Sequence, residues 1–330
     1  MQFRTYINIK PAGEQIDHSK SIFSLGSCFA ENIASRLQRA KFQVKSSPTG
    51  ILFNPESIAD TLHRLSNYTD AESVREQIAA EMRNADGRWY NYHFHSAFCD
   101  TDREGAFDKM CEAHIAGAEA LQKADIVILT FGTAWVYRLM DSGEVVANCH
   151  KQPQTQFTKQ LLSAEEIAKR YNELLSNGAL AGKRVIFTVS PIRHLADGAE
   201  DNSLSKATLR VAIAEIVRNH ANAEYFPSFE IMNDELRDYR FYADDMVHPS
   251  QLAIDYIWQR FSEWAFSAVT RQTIEQLSRL TQAAEHRPFN PTSDAHKRFC
   301  RQMLSQIDEL SKAYPAMDFG NEKEAFCKYL

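Results

Sequence analysis

Short apolar runs alternate with stretches of helical period along this chain, and that alternation predicts an α/β fold with a parallel sheet flanked by helices. The first run, 21–25, ends in Gly26-Ser27, and a helical pattern follows at once with Phe29, Ile33 and Leu37 on one face. A short strand is predicted over 42–45. The segment 125–131 is apolar nearly throughout, as a strand covered on both faces must be. Further strands are predicted at 184–189 and 224–226. Helical patterns cover about 55–82, 107–123, 203–221, 251–286 and 294–313, with Phe289-Asn290-Pro291 breaking the last two apart. Another helix opens on the capping box Ser163…Glu166 and stops near Gly178. No repeat or low-complexity linker interrupts the pattern. The chain therefore reads as one domain, 1–330, with an insertion at 54–123 and a helical extension from about 251 to 330 that covers the sheet.

Composition narrows the function classes. At 330 residues, with 44% apolar and 24% charged side chains, the chain can bury a sizeable core without disulfides or metals. The net charge is −6 and no basic run is interleaved with aromatics, which speaks against nucleic-acid and membrane partners. The first fifteen residues contain no apolar core of the kind a secretory signal needs, and the 125–131 run is too short to span a bilayer. Six cysteines, Cys28, Cys99, Cys111, Cys149, Cys300 and Cys327, are scattered and form no CxxC pair. Reduced thiols in a cytoplasmic protein are the expectation. No cofactor or metal is expected, and His93 and His95 read as structural histidines. A small-molecule or carbohydrate substrate is the expected partner, and a homodimer is compatible with the sequence.

The candidate chemistry gathers where strands are predicted to end. Ser27 sits where a buried strand hands over to a helix, and ligands of open α/β sheets bind outside the carboxyl ends of the strands. The helix amides point at the same spot and favour a developing oxyanion. Taken locally, Ser27 reads first as a helix cap for Phe29. Cys28, one residue into the helix, reads as packing. Asp245 and His248 stand three apart in a loop that opens a helix, so the carboxylate can orient the imidazole as a general base. Read alone, the same residues are an ordinary helix start. Gly50 and Gly132-Thr133 follow predicted strands and could present amides to an oxyanion. The clusters 148–151 and 190–194 add Asn148, His150, Arg193 and His194 as polar groups for a substrate; Arg193 could fork onto a carboxylate or phosphate.

The string Gly26-Ser27-Cys28-Phe29-Ala30 resembles the name-giving motif of the GSCFA family. The resemblance extends from Ser21 to about Trp264 through Gly132-Thr133-Ala134-Trp135, Val189-Ser190-Pro191-Ile192-Arg193-His194 and Asp245-Met246-Val247-His248-Pro249-Ser250. That family is similar to the SGNH (GDSL-like) hydrolases. The resemblance implies a flavodoxin-like three-layer α/β/α sandwich. It further implies a catalytic Ser27, His248 and Asp245, and an oxyanion hole of Ser27 with Gly50 and the Gly132-Thr133 block. It implies ester hydrolysis or O-acyl transfer on an acylated carbohydrate, with a non-catalytic binding module as the alternative. One position departs from the pattern. Ala134 stands where those hydrolases carry an asparagine donor, which leaves Asn148, Thr133 or the Trp135 indole to replace it.

Overall fold

The computed structural model describes residues 4–330. In chain order the first elements are β1 (Ser21–Gly26), α1 (Cys28–Arg39), β2 (Gln43–Ser46), α2 (Pro55–Ser66) and α3 (Ala71–Glu81). The hairpin β3 (Arg83–Ala85) and β4 (Arg88–Tyr90) precedes α4 (Arg103–Lys123) and β5 (Ile126–Phe131). Then come β6 (Trp135–Leu139), β7 (Val145–Val146), β8 (Phe157–Leu161), α5 (Ala164–Asn177), β9 (Arg184–Val189), α6 (Ala199–Asn219) and β10 (Ala223–Tyr225). A single turn, α7 (Ser228–Glu230), leads into a π-helical turn at Ile231–Glu235. The chain closes with α8 (Gln251–Ala265), α9 (Ala268–Glu285), α10 (Asp294–Ala313) and α11 (Gly320–Cys327).

The central sheet is parallel, in the order β10-β9-β5-β1-β2. Winding reverses between β1 and β5, the doubly wound flavodoxin-like arrangement, so the crevice outside those two carboxyl ends is the natural ligand site. Alternate side chains serve the two faces, as the pleat requires. Phe23, Leu25, Val127, Leu129 and Phe187 pack under α2, α4, α5 and α6. Ile22, Ile126, Ile128 and Ile186 pack under α1 and α8. The result is a three-layer α/β/α sandwich.

Several expectations shift in detail. Residues 54–123 do not stand apart from the sheet: Ile58, Leu62 and Leu121 of α2 and α4 belong to the main core, and α3 closes a satellite cluster with Phe94 and Met110. The 55–82 stretch is two helices, because Asp70 accepts from the Ser73 amide and starts a new one. The long pattern from 251 likewise breaks, at Ser267, which caps α9 through the Thr270 amide. Of the C-terminal helices, α8 covers the sheet. By contrast α9, α10 and α11 surround a cluster of their own built on Leu277, Leu280, Ile307 and Phe326. The small antiparallel sheet β7-β6-β8 was not anticipated, since its strands are short and only partly buried.

One buried ion pair ties the second face together. Glu235, on the π-helical turn, takes Arg260 of α8 on both oxygens at 2.8 and 3.0 Å, the Tyr256 hydroxyl at 2.6 Å and the Ile7 amide at 2.6 Å. Removing one partner of such a pair strands the other charge in a dry site. Glu235→Ala is expected to cost about 3–5 kcal/mol of unfolding free energy in urea titrations, and Glu235→Gln clearly less.

Candidate functional site

Four strand ends converge at one edge of the sheet. Ser27 follows β1, Gly132 follows β5, Ser190 follows β9 and Phe226 follows β10. Gly26 reaches φ +147°, where a Cβ would collide with the Thr130 carbonyl oxygen, so glycine alone lets β1 and β5 approach so closely here. Ser27 then caps α1, its Oγ accepting from the Phe29 amide at 3.4 Å, and is fully buried.

Ser27 and His194 both lie close to Gly132. A Cβ placed there would stand 3.3 Å from Ser27 Cβ, 3.1 Å from His194 Nε2 and 3.0 Å from the Phe53 carbonyl oxygen. The His194 ring packs edge-on against Phe53 at 5.7 Å between centroids, and its amide donates to Asn202 Oδ1 at 2.9 Å. Its Nε2 is buried without a hydrogen-bond partner. Burial first, and the nearby Lys206 charge second, hold His194 down to a pKa of about 4, so the ring is neutral at physiological pH.

Asp245 and His248 form a closed pair. Asp245 Oδ1 accepts the Val247 and His248 amides, each at 2.9 Å, and Oδ2 meets His248 Nδ1 at 2.6 Å. With Nδ1–H donated to the carboxylate, His248 keeps Nε2 as a proton acceptor. The two backbone amides, more than the imidazole, pull the Asp245 pKa down to about 2. Met246, at φ +56°, makes the tight turn that folds the pair together. Arg193 anchors the loop to the sheet edge, its amide donating to the Val247 carbonyl at 3.2 Å and its guanidinium to the Met246 carbonyl at 3.1 Å. No hydrogen bond joins His248 to Ser27 among the described residues.

A cavity of about 290 Å³ opens beside this edge, lined by Phe53, Asn54, Thr133, Trp135, Asn148 and His194 among others. The only charged side chain on its wall, Asp197, is paired with Lys159, which also sits over the Trp135 ring at 4.3 Å.

The family model described as the GSCFA family matches residues 21–261, a span that takes in Ser27, Gly132, His194, Asp245 and His248. The chain belongs to the GSCFA family. A second model, the C-terminal domain of GSCFA domain proteins, matches residues 277–330, the helices that carry their own cluster. A search of curated proteins finds no match.

Several residues proposed from sequence take other roles in this GSCFA chain. The expected oxyanion amides are already engaged. Ser27 N donates to the Thr130 carbonyl at 3.1 Å, Gly50 N to Ser47 at 2.8 Å, and Gly132 N and Thr133 N both to Phe53, at 2.7 and 2.9 Å. The Thr133 hydroxyl shares a hydrogen bond with Ser205 at 3.0 Å, and the Trp135 indole donates to the Asp201 carbonyl at 3.4 Å. Asn148 does line the cavity, with its Oδ1 accepting from the His150 amide at 2.8 Å. His150 is turned away: Nε2 meets the Asn91 carbonyl at 2.8 Å and Nδ1 meets Cys99 Sγ at 3.3 Å. Arg193 lies over Tyr242 and lines a different hollow, with Asn233, Arg237 and Tyr239. His93 is spoken for by Asp60 at 3.0 Å and Glu144 at 3.2 Å.

Sequence reasoning missed Lys206. It is 2% exposed, and its Nζ donates to the Gly132 carbonyl at 2.6 Å and the Ser190 carbonyl at 2.8 Å, bracing two of the strand ends. Burial without a carboxylate lowers its pKa to about 7, and two carbonyls match the two N–H groups of a neutral amine. Its signal was present: Lys206 stands on the same helical stripe as the apolar Leu209, Ile213 and Ile216. The unfolded chain holds this proton up to its ordinary value of 10.5, whereas the fold releases it near 7. Stability therefore rises with pH between those values wherever this lysine dominates. Lys206→Met is expected to remove that rise. Urea unfolding of both proteins between pH 6 and 10 should show the wild type gaining on the variant above pH 7, and parallel curves would contradict it.

Proposed function

We propose that this GSCFA protein is a serine ester hydrolase or O-acyl transferase of the SGNH (GDSL-like) kind. The carrying observation is the Asp245–His248 pair at 2.6 Å, with its free ring nitrogen an acceptor, held by Arg193 at the sheet edge where Ser27 begins α1. In the reaction, Ser27 Oγ bonds to the acyl carbon while its proton passes to His248 Nε2. The C–O bond to the leaving alcohol then breaks, and the alcohol departs with that proton. Water, or an acceptor hydroxyl, releases the acyl group by the reverse sequence. Asp245 holds the tautomer and stabilises the imidazolium.

The cavity supports an uncharged polyol or short acyl group. Its aromatic and amide lining suits a sugar face, and its one carboxylate is already paired. An acylated carbohydrate or a related small molecule is therefore the substrate class. Six free cysteines accord with a cytoplasmic setting, and no helix among the described residues is long and apolar enough to cross a membrane.

The complete burial of Ser27 favours a second reading, a non-catalytic binding module that keeps the fold. Treatment with a fluorophosphonate probe separates the two by intact mass. One adduct on the wild type, absent from Ser27→Ala, supports the hydrolase. A folded wild type that takes no adduct supports the binding module.

A further inference from the structure

A developing oxyanion on Ser27 needs a donor, and the backbone amides expected to supply one are spent within the protein. Ala134 cannot donate from its side chain, and its amide goes to Ser205 Oγ at 2.7 Å. One unpartnered, fully buried polar atom shares the neighbourhood of Gly132 with the nucleophile: a Cβ there would stand 3.1 Å from His194 Nε2 and 3.3 Å from Ser27 Cβ. Buried polar atoms are normally satisfied, and one left open beside a nucleophile points to a group that arrives during function.

We propose that His194 is a catalytic residue of the Ser27 site: its Nε2–H, on a neutral imidazole, donates the hydrogen bond that stabilises the oxyanion in place of the donor missing at Ala134. The inference rests on the serine hydrolase reading above and adds the group that makes its tetrahedral intermediate accessible.

The surroundings fit a donor better than a base. Burial keeps His194 neutral to well below physiological pH, so it is a weak proton acceptor. The carboxylate that favours the charged ring, Asp197, is paired with Lys159 instead. No proton is transferred at His194 in this scheme. As the Ser27 Oγ–C bond forms, the carbonyl π pair moves onto oxygen, and Nε2–H shortens its contact with that oxygen. The ring is pre-placed by the Phe53 edge and by the bond from its own amide to Asn202, so little reorganisation is needed when charge develops.

The rate of fluorophosphonate labelling tests this without an identified substrate. In that reaction the Ser27 Oγ–P bond forms, the P–F bond breaks and fluoride leaves, the serine proton passing to His248. The phosphoryl oxygen occupies the position of the oxyanion. Labelling of the intact protein is followed by mass for the wild type, His194→Ala and His194→Gln, with thermal melts confirming that each is folded. Loss of one donor is expected to slow His194→Ala by about 100- to 1,000-fold. His194→Gln, which offers an amide N–H and cannot act as a base, is expected to recover at least tenfold of that loss. A labelled wild type with His194→Ala within threefold of it overturns the proposal and leaves the hydrolase reading intact. So does a folded His194→Gln as slow as His194→Ala. Should His194→Ala fail to fold, His194→Gln labelling within tenfold of the wild type supports the proposal, and a larger loss contradicts it. A folded wild type that takes no label sinks the hydrolase reading and this inference together.

Discussion

Ser27→Ala is expected to lower kcat on any ester the protein turns over by about six orders of magnitude, to near the background rate. On the proposed hydrolase reading, the size follows from Ser27, His248 and Asp245 acting as a unit. Without the hydroxyl there is no covalent intermediate, and the proton acceptor on His248 has nothing to activate. The obvious substitute is the neighbouring Cys28, whose thiol lies one residue further along α1. It does not serve: burial raises its pKa above the ordinary 9.0, so the reactive thiolate is scarce. Alanine also removes the cap on the Phe29 amide, at a cost of about 1 kcal/mol. That cost is small enough for the variant to stay folded, so activity and folding can be compared on one sample. Turnover assays beside urea titrations check both parts.

Asp245→Asn is expected to cost about four orders of magnitude in kcat with the fold unchanged. Asparagine is nearly the same shape, and its side-chain oxygen can still accept from the Val247 and His248 amides. What is lost is the negative charge on the second oxygen. An amide nitrogen placed there donates toward Nδ1, which drives the ring proton to Nε2 and blinds the base. The pH profile is part of the prediction. Because the two backbone amides hold the carboxyl at about 2, Asp245 is ionised at neutral and mildly acid pH. Its contribution is present above the ordinary carboxylate value and fades only as pH falls through about 2. Any acid limb seen between pH 4 and 8 therefore belongs to another group, and Asp245→Asn should lower the plateau. An equal plateau for wild type and variant would contradict the role given to this residue.

The parts of the site legible in the sequence are those fixed by local geometry. A strand, a glycine and a serine before an amphipathic helix put Ser27 at a sheet edge in any doubly wound fold. Asp245 and His248 are three apart, and a single tight turn at Met246 suffices to pair them. The sheet was equally legible, because strands covered on both faces must be apolar almost throughout. What escaped depends on partners far away in the chain. Whether the Gly132 and Thr133 amides are free is decided by the Phe53 carbonyl, which no local pattern reveals. His150 and Arg193 carry suitable chemistry but are held by Asn91 and Met246 on the far sides of their loops. Lys206 escaped for the opposite reason: a lysine on an apolar stripe looks like a solvated residue until its two carbonyl partners are seen.

The central claim is that Ser27 becomes acylated. The most direct measurement is to mix the protein with an activated acetyl ester, quench in acid within the first turnovers, digest, and read the peptide that contains Ser27 and Cys28. The account predicts an acetyl group on Ser27 that forms no slower than product appears and is absent from Ser27→Ala. Turnover with that peptide unmodified, or with the acetyl group on Cys28, would contradict it.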